Sequence, residues 1–428
     1  MPKISAVILA AGKGTRMKSN KPKVMHEICC RPIIDYVSET AQSLNPYSMS
    51  VISSNEYGTL NNHIENYTHK TNILFQKERL GTGHAIKIFL DSEFNNEDII
   101  IVLYGDTPFI KASTIENMIG LINDKTALCI LGFESENPQG YGRLITENDN
   151  LLSIVEEKEA DSETKKINFC NSGIMVLNGK YAKEIINKID NNNSKKEYYL
   201  TEAVKIANDM NLTCKTVRTD EAEVMGINSQ SELAAAEAVM QSKLRQKFLD
   251  NGVSMIAPET VYFSPECEID AGTVIEPNVF FSGKVIIGKN CRIRANSYLE
   301  NCEIENECII GPYARVRPQT KISENCNIGN FVEIKKSKIS SGTKINHLSY
   351  IGDSTIGKSV NIGAGTITCN YDGKNKYKTE IGDNCFIGSN SCLIAPVKIG
   401  KNAIVGAGTT IFKDAPENKT SINKKEIV

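Results

Sequence analysis

The sequence predicts a chain of two domains: an α/β domain in residues 1–229 and a parallel β-helix in residues 251–428, joined by a helical linker at 230–250. Two observations predict this organisation. In the N-terminal half, short apolar runs alternate with stretches of helical spacing, as in α/β proteins. In the C-terminal half, a six-residue pattern recurs in phase between about residues 269 and 411, and such hexad repeats are typical of a β-helix.

The apolar runs of the N-terminal half lie at residues 6–9, 49–52, 99–103, 127–131 and 174–177, and helical spacing occurs at 33–41 and 202–207. This alternation predicts a mostly parallel sheet. In such sheets ligands bind beyond the carboxyl ends of the strands, so the residues that follow each run are candidates for function.

Each hexad opens with an aliphatic residue and has a small residue four positions later. The small residues include Thr273, Cys291, Ser297, Thr320, Thr343, Thr366, Ser391 and Thr409. Two inward positions per hexad, one aliphatic and one small, predict a narrow triangular coil with one hexad on each side. Because each coil contacts only its neighbours, we expect most hexad residues to serve packing alone.

One insertion interrupts the hexads between Thr368 and Ile381. Its residues cannot follow the coil, so the segment is predicted to leave the β-helix as an exposed loop. Exposed loops on rigid scaffolds commonly carry binding residues.

Composition excludes several classes of function. The net charge is −2 and neither half has a basic run, so a nucleic-acid partner is not expected. The apolar stretches are too short to span a membrane, and the N-terminus lacks the features of a signal peptide. Thirteen cysteines without a C-x-x-C pair, five of them at small hexad positions, indicate reduced packing residues. The sequence therefore predicts a cytoplasmic protein.

Two strand ends carry residues suited to phosphate chemistry. The first is LAAGKGTRM at 9–17, followed by KPK at 21–23, where glycines would let backbone amides approach phosphate oxygens beside Lys13, Arg16 and Lys23. The second is LYGD at 103–106, where Asp106 could ligate Mg²⁺. Taken alone, such glycines more often form a turn with solvated basic residues, and a single aspartate after a strand is usually part of a turn or a helix cap.

The residue sequence of the first stretch resembles the motif of sugar-phosphate nucleotidylyltransferases, in which this loop surrounds a nucleoside triphosphate. Further segments match that family in the same order: Gln76 with LGTGH at 80–84, GYGR at 140–143, IVEEK at 154–158, NSGI at 171–174 and GIN at 226–228. Segments of the β-helix limit the resemblance to a smaller group of these enzymes. They are RVRP at 315–318, FVEIKK at 331–336, NHLSYIGD at 346–353 and NIGAGTITCNYDG at 361–373. Together these segments closely resemble the bacterial bifunctional N-acetylglucosamine-1-phosphate uridyltransferases and glucosamine-1-phosphate acetyltransferases, over essentially all 428 residues.

This resemblance implies a Rossmann-like nucleotidyltransferase domain followed by a left-handed β-helix of hexapeptide repeats. It also implies two reactions: acetylation of glucosamine 1-phosphate by acetyl-CoA, then transfer of UMP from UTP to the product, giving UDP-N-acetylglucosamine for the cell envelope. The implied assembly is a homotrimer formed through the β-helix, and the implied cofactor is Mg²⁺.

For the uridylyl transfer the resemblance implies three groups of residues. UTP and the nucleotide sugar would contact Leu9, Ala10, Ala11, Gly12, Lys23, Gln76, Gly81, Thr82, Tyr104, Gly105, Asp106, Gly142, Glu156, Asn171 and Asn228. Within this set, Gly142, Glu156 and Asn171 would bind N-acetylglucosamine. Arg16 and Lys23 would be catalytic by neutralising charge, and Asp106 and Asn228 would ligate Mg²⁺.

For the acetyl transfer, His347 is implied as the base that takes the proton of the attacking amine, and imidazole titrates near neutral pH. Glucosamine 1-phosphate would contact Arg317, Lys335, Tyr350 and Asn361, and acetyl-CoA would contact Ala364, Asn370, Tyr371, Ser389, Ala407 and Lys424. Lys424 departs from the family, which has an arginine there; lysine keeps the charge but loses the bidentate fork, so weaker CoA binding is expected.

Two alternatives compete with the bifunctional enzyme. The chain could be a nucleotidylyltransferase whose β-helix is only structural, but such a β-helix would need neither His347 nor the Asn370–Tyr371 insertion. It could also be a non-catalytic assembly subunit, although Arg16, Lys23 and Asp106 are intact.

Overall fold

A computed structural model describes residues 3–92, 99–148, 150–193 and 196–422. The chain divides into two compact units, Met1–Ile28 with Pro32–Ala236 and Cys29–Arg31 with Glu237–Val428. The division at Ala236 falls within helix Gln230–Asp250. Over the described ranges, no helix has both the length and the apolar character needed to cross a membrane.

The first unit is built on one twisted sheet. Within the described part of this unit, nine strands form the sheet in the order Asn72–Phe75, Ser48–Ser53, Ile4–Leu9, Ile99–Tyr104, Phe169–Asn178, Thr126–Glu134, Thr213–Thr219, Asn150–Val155 and Arg143–Glu147. All five predicted apolar runs lie in these strands.

The sheet is mixed rather than mostly parallel. Ile4–Leu9 pairs in parallel with Ser48–Ser53 and Ile99–Tyr104, as predicted. Phe169–Asn178, however, runs antiparallel to the neighbouring Ile99–Tyr104 and Thr126–Glu134. An apolar run buried on both faces reveals a strand but not its direction, so the sequence could not distinguish the two arrangements.

Helices cover both faces of this sheet, which explains why its central strands are apolar without alternation. Ala6 and Ile8 belong to the buried cluster on one face, and Val7 to the cluster on the other. Among the described residues, the helices within this unit are Ile33–Ser43, Gly58–Glu65, Thr82–Leu90, Ala112–Gly120, Gly179–Lys188 and Glu202–Asp209, with single 3₁₀ turns at Thr15–Met17, Lys23–Met25, Thr164–Lys166 and Glu221–Glu223. A further 3₁₀ turn, Pro258–Thr260, belongs to the second unit. Two short strands, Glu27–Ile28 and Arg31–Pro32, precede the first helix.

The second unit is the predicted left-handed parallel β-helix, with three sheets that run along its length. The first sheet contains Ser254–Met255, Val274–Ile275, Arg292–Ile293, Ile309–Ile310, Asn327–Asn330, Lys344–His347, Asn361–Ile362, Phe386–Ile387, Ile404–Val405 and Thr420–Ser421. The second contains Glu268–Ile269, Ile286–Ile287, Cys302–Ile304, Thr320–Ile322, Lys338–Ile339, Ser354–Ile356, Thr379–Ile381 and Val397–Ile399. The third contains Phe280–Ser282, Tyr298–Glu300, Arg315–Val316, Glu333–Lys335, Tyr350–Gly352, Ile367–Cys369, Cys392–Ile394 and Thr410–Ile411.

The aliphatic and small hexad positions both face inward, as the pattern predicts. Ile293, Ile310 and Ile328 are fully buried, and a buried isoleucine stabilises the fold by roughly 1.5–3 kcal/mol. At the small positions, the Thr273 hydroxyl donates to the carbonyl of Gly288 at 2.9 Å, and the Cys291 thiol donates to that of Glu305 at 3.1 Å. The thiols thus take the place of hydroxyls, and all thirteen cysteines are free.

The residue after the inward aliphatic residue lies at a corner where successive coils nearly touch. At Gly329, a Cβ atom would overlap the backbone carbonyl of Asn346 in the next coil, and at Gly363 it would lie 2.5 Å from the backbone nitrogen of Ser389. Backbone atoms cannot give way as a flexible side chain can. Coil spacing therefore excludes a side chain at Gly329 and Gly363.

Gly329→Ala tests this requirement. The added methyl group would force apart the coils that carry Asn330 and His347, and overpacking of this kind costs about 1–3 kcal/mol. We expect lower thermal stability and a loss of acetyltransferase activity, while uridylyltransferase activity persists. Gly120→Ala is the control, because a methyl group added at Gly120 would have no other atom within 4 Å. Equal stability of the two variants would contradict the interpretation.

Candidate active sites

The first candidate site is a cleft of about 740 Å³ in the first unit. Strands Ile4–Leu9 and Ile99–Tyr104 end at its floor, so the loops that follow them line it together. The predicted residues that line the cleft are Leu9, Ala10, Ala11, Gly12, Lys23, Gln76, Gly81, Thr82, Tyr104, Asp106, Glu156, Asn171 and Asn228.

Three predicted residues are not part of this lining. Arg16 is exposed on the 3₁₀ turn Thr15–Met17. Gly105 lies behind the cleft, where its N–H donates to the Leu9 carbonyl at 3.0 Å. Gly142 accepts a hydrogen bond from the Asn171 N–H at 2.8 Å, and a Cβ there would lie 3.1 Å from Ile154.

Lys23, Asp106 and Asn228 converge on one point of the cleft. The Lys23 ammonium donates to the carboxylate of Asp106 and, at 2.9 Å, to the side-chain oxygen of Asn228. The Asn228 backbone N–H donates to Glu232 at 2.6 Å, which fixes the start of the following helix. A carboxylate and an amide oxygen are hard donors of the kind that bind Mg²⁺.

Tyr104 lines the same cleft, at the end of strand Ile99–Tyr104. Burial, reinforced by the charge of Asp106, raises the pKa of Tyr104 to about 12, so its hydroxyl stays protonated. A Cβ at Gly173 would lie 2.8 Å from the Tyr104 ring, which explains the glycine there.

Sequence reasoning missed several residues of this cleft. They are Val24, Ile52, Arg79, Ala85, Glu197, Tyr199, Leu200 and Thr201, whereas Lys13, which the sequence indicated as a positive charge beside the loop, also lines the cleft. Thr201 lies 3.5 Å from Glu156 through its hydroxyl. The run EYYLT at 197–201, polar and aromatic directly before a helix, is the signal that could have revealed four of them.

The second candidate site lies on the third sheet of the β-helix and the corner before it. His347 ends strand Lys344–His347, and its Nδ1 lies 2.8 Å from the side-chain oxygen of Asn330, which is paired with it in the preceding coil. Because an amide oxygen only accepts, Nδ1 carries the hydrogen and Nε2 is left with a lone pair. His347 is exposed, so Nε2 can reach a substrate.

Arg317 and Lys335 lie on adjacent coils, at the edge of the third sheet that is farther from His347. Arg317 donates to Glu333 at 2.8 Å, and Glu333 is paired with Tyr350. The ammonium of Lys376, reinforced by Arg317, lowers the pKa of Lys335. Three cations this close together favour a bound anion.

The insertion brings Lys376 to this position. Tyr371 and Lys376 form an antiparallel bridge, and Tyr371 is 59% exposed at the tip. Asn370 is instead buried, and its side-chain amide donates to Asp353 at 2.5 Å. The basic residues at 374, 376 and 378 were the available sequence signal for Lys376, and nothing in the sequence pattern marks Asn330.

The acetyl-CoA candidates occupy two different corners of the coil. Ala364, Ser389 and Ala407 form a row between the first and third sheets, the same corner as His347. Asn370 and Tyr371 follow strand Ile367–Cys369, at the corner between the third and second sheets. Asn361 lies on the first sheet beside Lys344, and Lys424 is outside the described residues.

Four family models match the chain. The nucleotidyl transferase model covers residues 5–227, and the bacterial transferase hexapeptide model covers 266–301. The GMPPB C-terminal domain model matches 298–371, and the hexapeptide repeat of succinyl-transferase matches 378–413. Each unit of the structure therefore has its own family match.

Curated relatives match along both units. The bifunctional protein GlmU of Bartonella bacilliformis is 45% identical over 96% of this chain and 92% of its own length. The GlmU proteins of Ruegeria sp. and Paramagnetospirillum magneticum are 44% and 42% identical, again over more than nine-tenths of both chains. At this identity and coverage, the chain belongs to the GlmU family of bifunctional enzymes, which combine a uridyltransferase with an acetyltransferase.

Proposed function

We propose that the two sites carry out successive steps on one sugar. The β-helix acetylates glucosamine 1-phosphate with acetyl-CoA, and the first unit then transfers UMP from UTP to N-acetylglucosamine 1-phosphate, releasing pyrophosphate. The observation that carries this proposal is the presence in one chain of both constellations: Lys23 with two metal-binding oxygens, and His347 oriented by Asn330.

In the uridylyl transfer, a phosphate oxygen of the sugar attacks the α-phosphorus of UTP in line, and pyrophosphate leaves. Such reactions depend on positioning and on stabilising charge, with no covalent intermediate required. Lys23, only 15% exposed at its side chain, neutralises charge on the phosphates, and Arg16 assists from the exposed turn. The backbone around Leu9, Ala10, Ala11 and Gly12 holds the triphosphate.

Mg²⁺ fits the oxygen pair of Asp106 and Asn228. The two side chains would supply two oxygen ligands, one from a carboxylate and one from an amide. That suits Mg²⁺, which commonly takes one or two protein oxygens and completes its shell with water and substrate phosphates. When bound, the ion would neutralise charge on the phosphate oxygens; Lys23 would then exchange its contact with Asp106 for the phosphates.

The remaining cleft residues are assigned to recognition. Gln76, Gly81 and Thr82 line the nucleotide end, where the Gln76 amide donates to the Gly81 carbonyl at 2.9 Å and holds that loop. Glu156 and Asn171 line the sugar end, with Gly142 behind them. Tyr104, kept protonated by its raised pKa, lines the same cleft and with Gly105 joins the strand to Asp106.

In the acetyl transfer, His347 acts as the general base. The amine nitrogen of glucosamine attacks the thioester carbonyl, Nε2 accepts the amine proton, and the carbon–sulfur bond breaks to release CoA, whose thiolate takes up a proton. The Asn330 oxygen holds the Nδ1 hydrogen, which keeps the ring in the required tautomer.

The phosphate of glucosamine 1-phosphate would bind at the far edge of the third sheet, near Arg317, Lys335 and Lys376. Tyr350 and Asn361 lie on the His347 side of this surface. Tyr350 is two positions before Gly352, the strand partner of Lys335, and two positions along a strand span about 6.6 Å, comparable to a sugar ring. A substrate whose phosphate binds the cations would therefore place its sugar ring beside Tyr350.

A homotrimer would complete the acetyl-CoA site. Ala364, Ser389 and Ala407 are at one corner of the coil, whereas Asn370 and Tyr371 are at another, so residues of two chains would have to meet around the cofactor. Phe331 and Leu348 support this arrangement: both are more than half exposed, and each directly follows Asn330 or His347. Exposed apolar residues beside a site favour contact with another chain. Lys424 would pair with the CoA phosphates.

The first experiment compares the wild type with His347→Ala on glucosamine 1-phosphate, acetyl-CoA, UTP and Mg²⁺. The wild type should form UDP-N-acetylglucosamine. The variant should do so only when N-acetylglucosamine 1-phosphate is supplied, because loss of a general base slows proton transfer about 10²- to 10⁴-fold. A wild type that itself requires the acetylated sugar would refute the acetyltransferase assignment.

Asn330→Leu tests the orientation of the base. Removing the oxygen that accepts the Nδ1 hydrogen should lower kcat for acetyl transfer about tenfold, a fraction of the loss when the base itself is absent. Asn330→Asp keeps an acceptor at the same position and should retain more activity. The two variants are compared by steady-state kinetics, and a Leu variant as active as the Asp variant would contradict this role.

Lys376→Met tests the phosphate site. A lost charge-assisted hydrogen bond costs about 1.5–3 kcal/mol, so KM for glucosamine 1-phosphate should rise about ten- to hundredfold. KM for acetyl-CoA should change little. Lys374→Met, an exposed lysine of the same loop, is the matched control, and an equal effect of both substitutions would argue against a specific contact.

A further inference from the structure

Two side chains outside the recognised motifs hold consecutive carbonyl groups of the glycine loop. The Arg79 Nε donates to the carbonyl of Ala11 at 2.8 Å. The Tyr57 hydroxyl donates to the carbonyl of Gly12 at 2.7 Å. The two donors come from different segments, since Tyr57 precedes helix Gly58–Glu65 and Arg79 follows strand Asn72–Phe75.

These donors are themselves fixed in place. The Arg79 Nη2 donates to Glu56 at 2.8 Å and to Ser54 at 3.3 Å, and its guanidinium lies 5.4 Å from the centre of the Tyr57 ring. The Tyr57 N–H donates to the Ser54 carbonyl at 3.0 Å. Arg79 and the turn that carries Tyr57 therefore form one connected unit, called here the carbonyl clamp.

The clamp determines where the amides of the loop point. In a trans peptide the C=O and N–H bonds are antiparallel. Holding the carbonyls of Ala11 and Gly12 on the clamp side directs the N–H groups of Gly12 and Lys13 away from it. Gly12 and Lys13 both line the cleft, and no atom lies within 4 Å of a Cβ position at Gly12.

We propose that Arg79 and Tyr57 are positioning residues for uridylyl transfer, which orient the Gly12 and Lys13 amides towards the phosphates of UTP. This inference rests on the proposed uridylyltransferase site. Preorganised amides need no rearrangement when the triphosphate binds, so the clamp contributes to affinity for UTP through the loop that it holds. Glycine allows the loop backbone many conformations, and the clamp restricts it to those in which these amides face the phosphates.

The test compares Arg79→Met and Tyr57→Phe with the wild type, using the full chain and Mg²⁺. Calorimetry measures the Kd for UTP, and steady-state kinetics measure KM for UTP and for N-acetylglucosamine 1-phosphate. We expect the UTP Kd to rise about tenfold in Arg79→Met and about threefold in Tyr57→Phe, the range expected for single neutral or charged hydrogen bonds. KM for the sugar phosphate at saturating UTP should stay within twofold of the wild type.

Two controls separate positioning from general damage. Lys77→Met alters an exposed lysine of the same segment and should leave the Kd for UTP unchanged. Acetyltransferase activity, which belongs to the other unit, should be equal in every variant. Tyr57→Phe removes a single oxygen and keeps the ring, so it tests the clamp even where Arg79→Met destabilises the fold.

The outcomes distinguish this inference from the proposed function. A Kd for UTP within twofold of the wild type in both variants would overturn the clamp, as would equal losses for UTP and the sugar phosphate. A third outcome would separate the two: the UTP Kd rises in both variants, but the wild type transfers no UMP. That result would support the clamp and refute the proposed reaction.

Discussion

The spacing between successive coils of the β-helix is the constraint on which its site depends. Neighbouring parallel strands lie about 4.8 Å apart, and beside Asn346 and Ser389 this leaves no room for a side chain on the preceding coil. Gly329 and Gly363 meet that condition by having no Cβ. The result is a surface whose residues repeat in fixed register, so that Asn330 lies beside His347 and Glu333 beside Tyr350. A polar network assembled in this way needs no flexible segment to hold it.

In the first unit the residues of the site are held in position by different interactions. Its phosphate-binding candidates belong to loops, which lack the regular pairing of the β-helix. They are ordered by long-range hydrogen bonds, such as the one between Arg79 and Ala11, 68 positions apart in the chain, and the one between Lys23 and Asn228, 205 positions apart. Strand ends bring these loops together, and side chains then set their conformation.

This difference between the two units explains which parts of the fold and of the sites could be predicted from the sequence. The β-helix was predictable because one local pattern specifies it, with inward aliphatic residues such as Ile293 and small ones such as Thr273 at constant spacing. The predicted cleft residues were found through motifs at strand ends, and thirteen of them line one cavity. Asn330 and Arg79 were missed because their neighbours are distant in sequence and no local pattern distinguishes them from other polar residues. Lys376 lies in the insertion that was predicted to carry binding residues, but the sequence does not distinguish it from Lys374 and Lys378. The direction of strand Phe169–Asn178 was missed for a related reason, since pairing is a property of the sheet. The roles of the site residues remain predictions.

The insertion after Ile367–Cys369 is anchored to the stack by the buried Asn370, and its residues 371–378 lie at the surface. Ile362 and Ile387, on either side of the insertion, still pair in register, so the extra residues leave the phase of the coils unchanged. Changes confined to residues 371–378, which are exposed or half-exposed, would leave the buried Asn370 and Thr379 in place. Evolution can therefore vary the chemistry presented by this loop while the scaffold stays constant, and the same freedom makes the loop the natural place to engineer a new acceptor specificity into the β-helix.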